Sequence, residues 1–443
     1  MSGLALATLA NVVAAEHPVD NGEDGSLLRF DRSKFHIGGY YLMRYALDEE
    51  HVRDVRDCGI DFVYGFEATT PQLRSVLELF EKYELAAFVG CWPVPKNGSY
   101  RETCTPDLLR AAVDRLDESG LRGFRSLQGG FVGDEPSARE FPAIGWVVRQ
   151  ERELLPEALP YLNLFPSYAT SGENTAEVAK SQLGCKDYQE YVDLYCKHVP
   201  LDYLSCDFYP YARADESLLP ELYANYQIVA DACRGTGRDF WLIAQVNSRR
   251  QEEWTSENRL RFQAFVAMSY GCVCINWACY CAGWWHNQVL DKEGMKTEQY
   301  AKLKRVNGEI REFASKYMRF RNVATEYVGY DSDPGLLRLV KEKKTVKSVT
   351  YGPFKTLRAE DGLPLLVGEM TPRKGDSTVR ALFICATDDP FDKNHRIRSV
   401  RFCTAAKKLR AFGVNGKLEL KRISPGTWSF PIESSSAVLL VAN

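Results

Sequence analysis

Two adjacent carboxylates follow an apolar run in the segment Gly130-Phe-Val-Gly-Asp-Glu-Pro136. The run has the composition of a buried strand, and a helical pattern begins soon afterwards at Phe141. In parallel α/β folds, the loops that follow the strands form the functional face. A carboxyl group at a strand end can act as a general acid, because partial burial and a charged neighbour both raise its pKa. One alternative stays open: Asp134 caps the next helix and Glu135 is a surface residue.

Eight short apolar segments alternate with amphipathic segments from residue 35 onward. The predicted strands are Phe35–Leu42, Ile60–Phe66, Leu85–Cys91, Gly130–Gly133, Leu159–Phe165, Tyr203–Phe208, Phe240–Gln245 and Cys272–Tyr280. They are rich in Val, Ile, Phe and Tyr with little alternation, which is typical of parallel strands buried on both faces. The predicted helices are Glu49–Cys58, Pro71–Tyr83, Pro106–Ser119, Phe141–Leu155, Asp187–Val199, Leu219–Arg234, Ser256–Tyr270 and Glu298–Phe320. Eight such units predict an α/β fold, a (β/α)₈ TIM barrel, rather than a doubly wound sheet.

The pattern changes after about residue 322. Helical periodicity stops, and short strand-like runs separated by turn pairs such as Asn415-Gly416 and Pro425-Gly426 follow. These runs predict a C-terminal antiparallel β-sandwich domain. The expected organisation is an N-terminal leader or extension over 1–30, a catalytic barrel over 31–322 and the sandwich over 323–443. The apolar run Leu4–Ala15 lacks a basic start but slightly favours a secreted or periplasmic protein over a cytoplasmic one.

If the barrel forms, its strand ends carry carboxylates and amides surrounded by aromatic side chains. A sugar suits such a face, since its C–H faces stack on aromatic rings while its hydroxyls need polar partners. The expected substrate-binding residues are Tyr40, Tyr41, Glu67, Trp92, Asp134, Asn163, Tyr209, Gln245, Trp277, Trp284 and Trp285.

The motif Gly133-Asp134-Glu135-Pro136 resembles the strand-4 motif of clan A glycoside hydrolases, with Asp134 where that clan usually has Asn. The chain also resembles bacterial proteins related to family 42 β-galactosidases. They share the Asp-Glu-Pro motif and resemble this chain around Tyr161-Leu-Asn-Leu-Phe-Pro166 and Leu204-Ser-Cys-Asp-Phe-Tyr-Pro210. The resemblance covers roughly residues 35–320. It implies a (β/α)₈ barrel that cleaves glycosidic bonds, with Glu135 as general acid and a second carboxylate at the end of strand 7.

Strand 7 departs from that pattern. It reads Asp239-Phe-Trp-Leu-Ile-Ala-Gln-Val246, so Gln245 stands where the nucleophile is expected. Glutamine cannot form the glycosyl ester of a retaining mechanism. Asp207, at the end of strand 6, is the predicted second catalytic carboxylate, and Glu67 is the next candidate.

Other functions remain as alternatives. Gln245 favours a non-catalytic barrel that binds carbohydrate. An aldolase would need a lysine at a strand end, and a metal enzyme would need histidines there. The four cysteines Cys272, Cys274, Cys279 and Cys281 suit buried apolar positions better than a metal cluster.

Composition limits the partners. The net charge of −3, without basic runs, argues against a nucleic-acid partner, and no apolar stretch reaches the length of a membrane span. No cofactor or metal is expected, and the expected partner is a carbohydrate substrate.

Overall fold

The computed structural model describes residues 31–68, 70–89, 104–167, 181–212, 218–332, 334–340, 345–376, 378–388, 390–391 and 395–443. The predicted leader and Trp92 therefore lie outside the described residues. Within the described ranges, every helix is too short or too polar to cross a membrane.

Eight parallel strands close into a barrel in chain order, which confirms the predicted fold class. The strands are β1 His36–Tyr40, β2 Phe62–Tyr64, β3 Ala86–Val89, β4 Leu127–Asp134, β5 Tyr161–Leu164, β6 Tyr203–Phe208, β7 Asp239–Gln245 and β8 Cys272–Ala278. Each is followed by a helix: α1 Glu49–Asp57, α2 Thr70–Lys82, α3 Pro106–Glu118, α4 Phe141–Leu154, α5 Tyr188–His198, α6 Leu219–Thr236, α7 Glu257–Ser269 and α8 Glu298–Tyr317. The carboxyl ends of all eight strands consequently meet at one rim.

Capping residues set several helix boundaries. The hydroxyl of Thr105 accepts a hydrogen bond from the backbone N–H of Leu108 at the start of α3, and Ser256 caps α7 in the same way. Gly59 follows α1 with a φ of 83°, a conformation that costs glycine little. These signals are local, so the sequence alone could locate the helix ends.

Stacked aromatic rings fill the barrel interior. The ring of Tyr64 lies 3.9 Å from that of Phe131 and 3.8 Å from that of Tyr161, and Tyr203 stacks on Trp241 at 3.8 Å. All except Phe131 are buried. The rim residues therefore stand on an apolar floor with little water below them, which strengthens electrostatic interactions between them.

The C-terminal region forms two antiparallel sheets, confirming the predicted β-sandwich. A five-stranded sheet has the order β10-β11-β14-β18-β17, and a six-stranded sheet has the order β16-β15-β19-β13-β12-β9. Their strands are β9 Phe320–Val328, β10 Val349–Tyr351, β11 Phe354–Ala359, β12 Leu365–Pro372, β13 Arg380–Ala386, β14 Ile397–Thr404, β15 Leu409–Gly413, β16 Gly416–Leu418, β17 Lys421–Ser424, β18 Thr427–Glu433 and β19 Ala437–Ala442. The ring of Phe383 on β13 contacts Phe313 on α8 at 5.3 Å, so the six-stranded sheet packs against the barrel.

A buried carboxyl on α4 gives a test of stability. Glu151 is 1% exposed, and neither of its oxygens has a hydrogen-bond partner among the described residues. Burial raises the pKa of this carboxyl well above its ordinary value of 4.5. The native state therefore holds a proton that the unfolded chain loses above that value, so the wild-type protein loses stability as the pH rises.

We expect Glu151→Met to increase the free energy of unfolding at pH 8 by about 1–3 kcal/mol, since it removes an unpaired buried polar group. The gain should shrink towards pH 4, where the unfolded carboxyl is also protonated. Urea denaturation at both pH values measures the difference. A variant that is less stable than wild type at pH 8 would show that the carboxylate has a stabilising partner.

Candidate active site

The carboxyl groups of Glu135 and Asp207 meet at the rim. Asp207 lies on β6, and Glu135 follows the last residue of β4. β5 lies between these strands, with Asn163 paired to Asp134 on one side and to Ser205 on the other. The backbone N–H of Glu135 donates to the carbonyl of Asn163 at 2.9 Å. This bond holds Glu135 at a φ of 49°, a left-handed conformation that is uncommon outside glycine and clusters at functional sites.

The two carboxyls are in hydrogen-bonding contact, so they must share a proton. Burial first, and then the charges of Asp207 and Asp134, raise the pKa of Glu135 far above its ordinary value. Burial and the charge of Asp134 also raise the pKa of Asp207, which is 4% exposed. Among the described residues no cation forms an ion pair with either group. Of the two carboxyls, Asp207 receives a hydrogen bond from the amide Nδ2 of Asn163, which favours the negative charge on Asp207 and the proton on Glu135.

The side chain of Asn163 donates a hydrogen bond to the ionised carboxylate of Asp207. Its Nδ2 donates to Oδ1 of Asp207 at 3.0 Å and lies 3.4 Å from Oδ1 of Asp134. Its own Oδ1 accepts from Ser205 Oγ at 3.0 Å, which fixes the orientation of the amide. Tyr161 OH extends the chain to Ser205 Oγ at 3.2 Å. Asp207 thus receives a hydrogen bond that favours its charged form from a fully buried network.

Sequence reasoning did not find Ser205 or the supporting role of Tyr161. A usable signal was present, because side chains two residues apart on a strand share a face. Tyr203, Ser205 and Asp207 alternate along β6, and all three belong to the polar and aromatic interior of the barrel. A small hydroxyl residue between them was a candidate support.

Aromatic side chains from several strand ends lie at this rim. Tyr40, at the end of β1, lies 5.8 Å from Trp284, and Tyr41 lies 6.4 Å from the same indole. Across the rim, Tyr209 meets Trp285 edge to face at 5.4 Å. All five are partly exposed. Burial first, and then the charges of nearby groups that include Asp134 and Asp207, raise the pKa of Tyr40.

Arg249 is a further rim residue that the sequence did not indicate. Its guanidinium lies 5.4 Å from the centre of the Trp285 ring. It follows β7 in a polar loop, where an arginine carries no distinguishing signal.

Glu67 lies at the same rim but is engaged elsewhere. Its carboxylate accepts from the backbone N–H of Arg44 at 3.2 Å and lies 3.7 Å from the guanidinium of that residue. Its charge raises the pKa of Tyr41, after burial, to about 12. Glu67 therefore interacts with Arg44 and Tyr41, and not with Glu135 or Asp207.

Two expected substrate contacts are wrong. Trp277 is fully buried, and its Nε1 donates to Oδ1 of Asn307 on α8 at 2.8 Å, so the indole lies between the barrel wall and the helices. Gln245 is also fully buried. Its Oε1 accepts from the N–H of Tyr211, and its Nε2 donates to the carbonyl of Asn247, both at 2.9 Å. With both amide atoms occupied by backbone groups, Gln245 orders the rim loops.

The alternative in which Asp134 caps the next helix and Glu135 is a surface residue is also wrong. Ser137, and not Asp134, caps the short 3₁₀ helix Ala138–Glu140, through a reciprocal pair of hydrogen bonds with Glu140. Asp134 is the last residue of β4 and contacts Asn163.

The described residues contain no cluster of His, Cys, Asp and Glu suited to a metal ion. Cys272, Cys274, Cys279 and Cys281 are all buried at 1% exposure or less. Burial raises the pKa of each thiol, which disfavours the thiolate that a metal would bind.

Comparisons with known proteins find matches only among solved structures. No family model and no curated protein matches the chain. A family 39 glycoside hydrolase from Bacteroides cellulosilyticus WH2 is 12% identical, with 94% of this chain and 82% of that chain covered and a TM-score of 0.38. A glucosidase from Croceicoccus marinus is 8% identical, with 95% and 97% covered and a TM-score of 0.41. Xylanase 10B from Thermotoga petrophila RKU-1 is 12% identical, with 66% and 98% covered and a TM-score of 0.39. At these values the likenesses carry no argument about activity, which must come from the site itself.

Proposed function

We propose that the protein is a glycoside hydrolase in which Glu135 is the general acid and Asp207 is the base or nucleophile. The contact between these two carboxyls at the barrel rim carries the proposal. It supplies one proton donor and one carboxylate, the two groups that glycoside hydrolysis needs. The Asp-Glu-Pro motif, with its likeness to proteins related to family 42 β-galactosidases, supports the same assignment.

Direct contact between the carboxyls leaves no room for a reacting sugar between them. In glycosidases the two carboxyls stand roughly 5–5.5 Å apart for retention and roughly 6.5–9.5 Å apart for inversion. Substrate binding must therefore break the shared hydrogen bond and move the side chains apart. Glu135 then donates its proton to the leaving oxygen, and Asp207 either attacks the anomeric carbon or takes a proton from the attacking water.

The surrounding residues supply a sugar site in this proposal. The rings of Tyr40, Tyr41, Trp284, Tyr209 and Trp285 offer faces for the C–H surface of a pyranose. Asp134 and Glu67 offer carboxylate oxygens for its hydroxyls, while Asn163 orients Asp207. The proposed substrates are oligosaccharides or polysaccharides that can reach the barrel rim.

A non-catalytic carbohydrate-binding barrel is the second candidate. One observation favours it: β7 ends in Gln245, whose amide is occupied by backbone groups, so that strand offers no carboxylate. In that case Glu135 and Asp207 would form a closed hydrogen-bonded pair that binds sugar hydroxyls without reacting.

A panel of aryl glycosides and unmodified oligosaccharides separates the two candidates. The wild-type protein and the double variant Glu135→Gln/Asp207→Asn are assayed together at equal concentration. Hydrolysis by wild type and not by the double variant supports the enzyme. Sugar binding by both proteins, detected by calorimetry without turnover in either, would support the binding module instead.

Removal of one rim indole gives a quantitative prediction for the sugar site. Trp284→Ala should weaken binding of the best ligand by about 1–3 kcal/mol, the range for losing a stacked aromatic contact. Trp428→Ala is the matched control, because its indole lies on β18 of the sandwich beside Arg422. Calorimetric Kd values, or KM for a cleaved substrate, measure the effect. Equal affinity for wild type and Trp284→Ala would remove this residue from the site.

A further inference from the structure

A second site lies far from the rim, where the barrel meets the sandwich. A cavity of about 190 Å³ is lined by Lys316, Arg319, Lys374 and Arg410 together with apolar side chains that include Phe320 and Phe412. α8 ends beside this cavity, and Tyr317 in its last turn contacts Phe35, which precedes β1, at 6.1 Å. The cavity therefore lies at the end of the barrel opposite to Glu135 and Asp207.

Backbone and ring contacts bring together the segments that carry the four cations, of which Arg319, Lys374 and Arg410 are exposed. The backbone N–H of Arg373 donates to the carbonyl of Arg319 at 2.8 Å, which brings the loop containing Lys374 onto the end of α8. The ammonium of Lys316 lies 5.3 Å from the centre of the Phe412 ring. Phe412 lies on β15, two residues after Arg410. The barrel thus contributes Lys316 and Arg319, and the sandwich contributes Lys374 and Arg410.

The positive charge of this cavity is not balanced locally. Among the described residues, no ion pair or hydrogen bond engages the side-chain cations of Arg319, Lys374 and Arg410. Lys316 is partly satisfied, since it donates to the carbonyl of Glu312 at 2.6 Å and lies 3.9 Å from its carboxylate.

The single carboxylate in the lining, Asp376, offsets at most one of the four positive charges. Oδ1 of Asp376 accepts from the backbone N–H and the hydroxyl of Thr378, at 2.8 and 2.7 Å, so it is held within its own turn. Many other arginines of the chain have partners, as Arg261 does with Glu309 at 2.6 Å. Four cations around one cavity repel each other, solvent screens part of this repulsion, and an anion between them would offset more of it.

We propose that this cavity binds an oxyanion, a phosphate or sulfate group held between the barrel and the sandwich. Guanidinium groups match the geometry of such anions through paired N–H donors, and a lysine adds a point charge. The volume accommodates one tetrahedral anion, either as a free ion or as an ester on a sugar. Because cations from both domains contact it, the bound anion also fastens the sandwich to the barrel. The proposal is independent of the proposed hydrolase activity.

Calorimetric titration of the full chain with inorganic phosphate and with sulfate, at low ionic strength, tests the proposal. We expect binding of one anion per chain, accompanied by a rise in Tm, because the ligand binds only the folded state. Arg319→Gln/Arg410→Gln should raise Kd about tenfold or more, since it removes two charged hydrogen-bonding groups. Lys355→Gln/Lys421→Gln is the matched control: it removes the same charge from exposed positions of the sandwich and should leave Kd unchanged.

Galactose 6-sulfate in a parallel titration distinguishes the sources of the anion. Tighter binding than inorganic sulfate would identify a sugar ester as the ligand, and equal or weaker binding would identify the free ion. The proposal fails if wild type binds phosphate and sulfate no more tightly than Arg319→Gln/Arg410→Gln, or if the control pair loses as much affinity as that variant.

Discussion

Glu135→Gln is expected to reduce turnover of an unactivated glycoside by about 10²–10⁴-fold, the usual contribution of a positioned proton donor. The amide keeps the shape of the side chain but has no acidic proton to give to the leaving oxygen. Aryl glycosides with good leaving groups should be affected much less, because their departure needs little protonation. Steady-state kinetics on matched substrates with poor and good leaving groups provide the measurement.

The dependence on the leaving group is the informative part of this experiment. Glu118→Gln, which changes an exposed carboxylate at the end of α3, controls for a general effect of lost charge. Full activity of Glu135→Gln on an unactivated glycoside would exclude Glu135 as the acid. An equal loss on all substrates would assign it to positioning or binding instead.

Asp207→Asn is expected to reduce hydrolysis by about 10²–10⁴-fold or more, regardless of the leaving group, while substrate binding is largely retained. The reason is that an amide can neither attack the anomeric carbon nor take a proton from water. Activity assays and calorimetric binding to the same oligosaccharide separate the two effects. Glu67→Gln is the rival variant: if it abolishes hydrolysis while Asp207→Asn retains it, Glu67 is the second carboxylate.

The wild-type pH profile tests the same pair. Activity requires that the pair of Glu135 and Asp207 hold one proton. The activity should therefore fall at low pH, where a second proton binds, and at high pH, where the last proton is lost. Because the pKa values of Asp207 and Glu135 are both raised, both limbs should lie above the ordinary carboxyl values of 3.8 and 4.5. A plot of kcat/KM against pH gives the two limbs. An alkaline limb near the ordinary glutamate value would contradict a shared proton.

Much of the barrel could be predicted because its signals are local. Apolar runs without alternation, hydroxyl caps such as Thr105 and the glycine after α1 each act within a few residues. Eight repeats in order leave few other folds, and closure then brings all strand ends to one rim. The sequence therefore sufficed to place Glu135 and Asp207 on the same face of the barrel.

Side-chain direction and contact were decided by the tertiary structure. Trp277 lies on β8 as expected, but the pleat of that strand turns its indole towards Asn307 on α8. Gln245 ends its strand as expected, yet the loop around Tyr211 and Asn247 occupies its amide. Such outcomes depend on strand register and on loops that are distant in sequence.

The hydrogen bond between Glu135 and Asp207 is the clearest case. The sequence by itself determined that the chain forms a barrel whose strands 4 and 6 end in carboxylates. Only the closed barrel, with Asn163 of β5 between them, brought those groups into contact and out of water. The physical reason is that a pKa responds to burial and to charges a few ångströms away, and both depend on residues tens of positions apart in the chain.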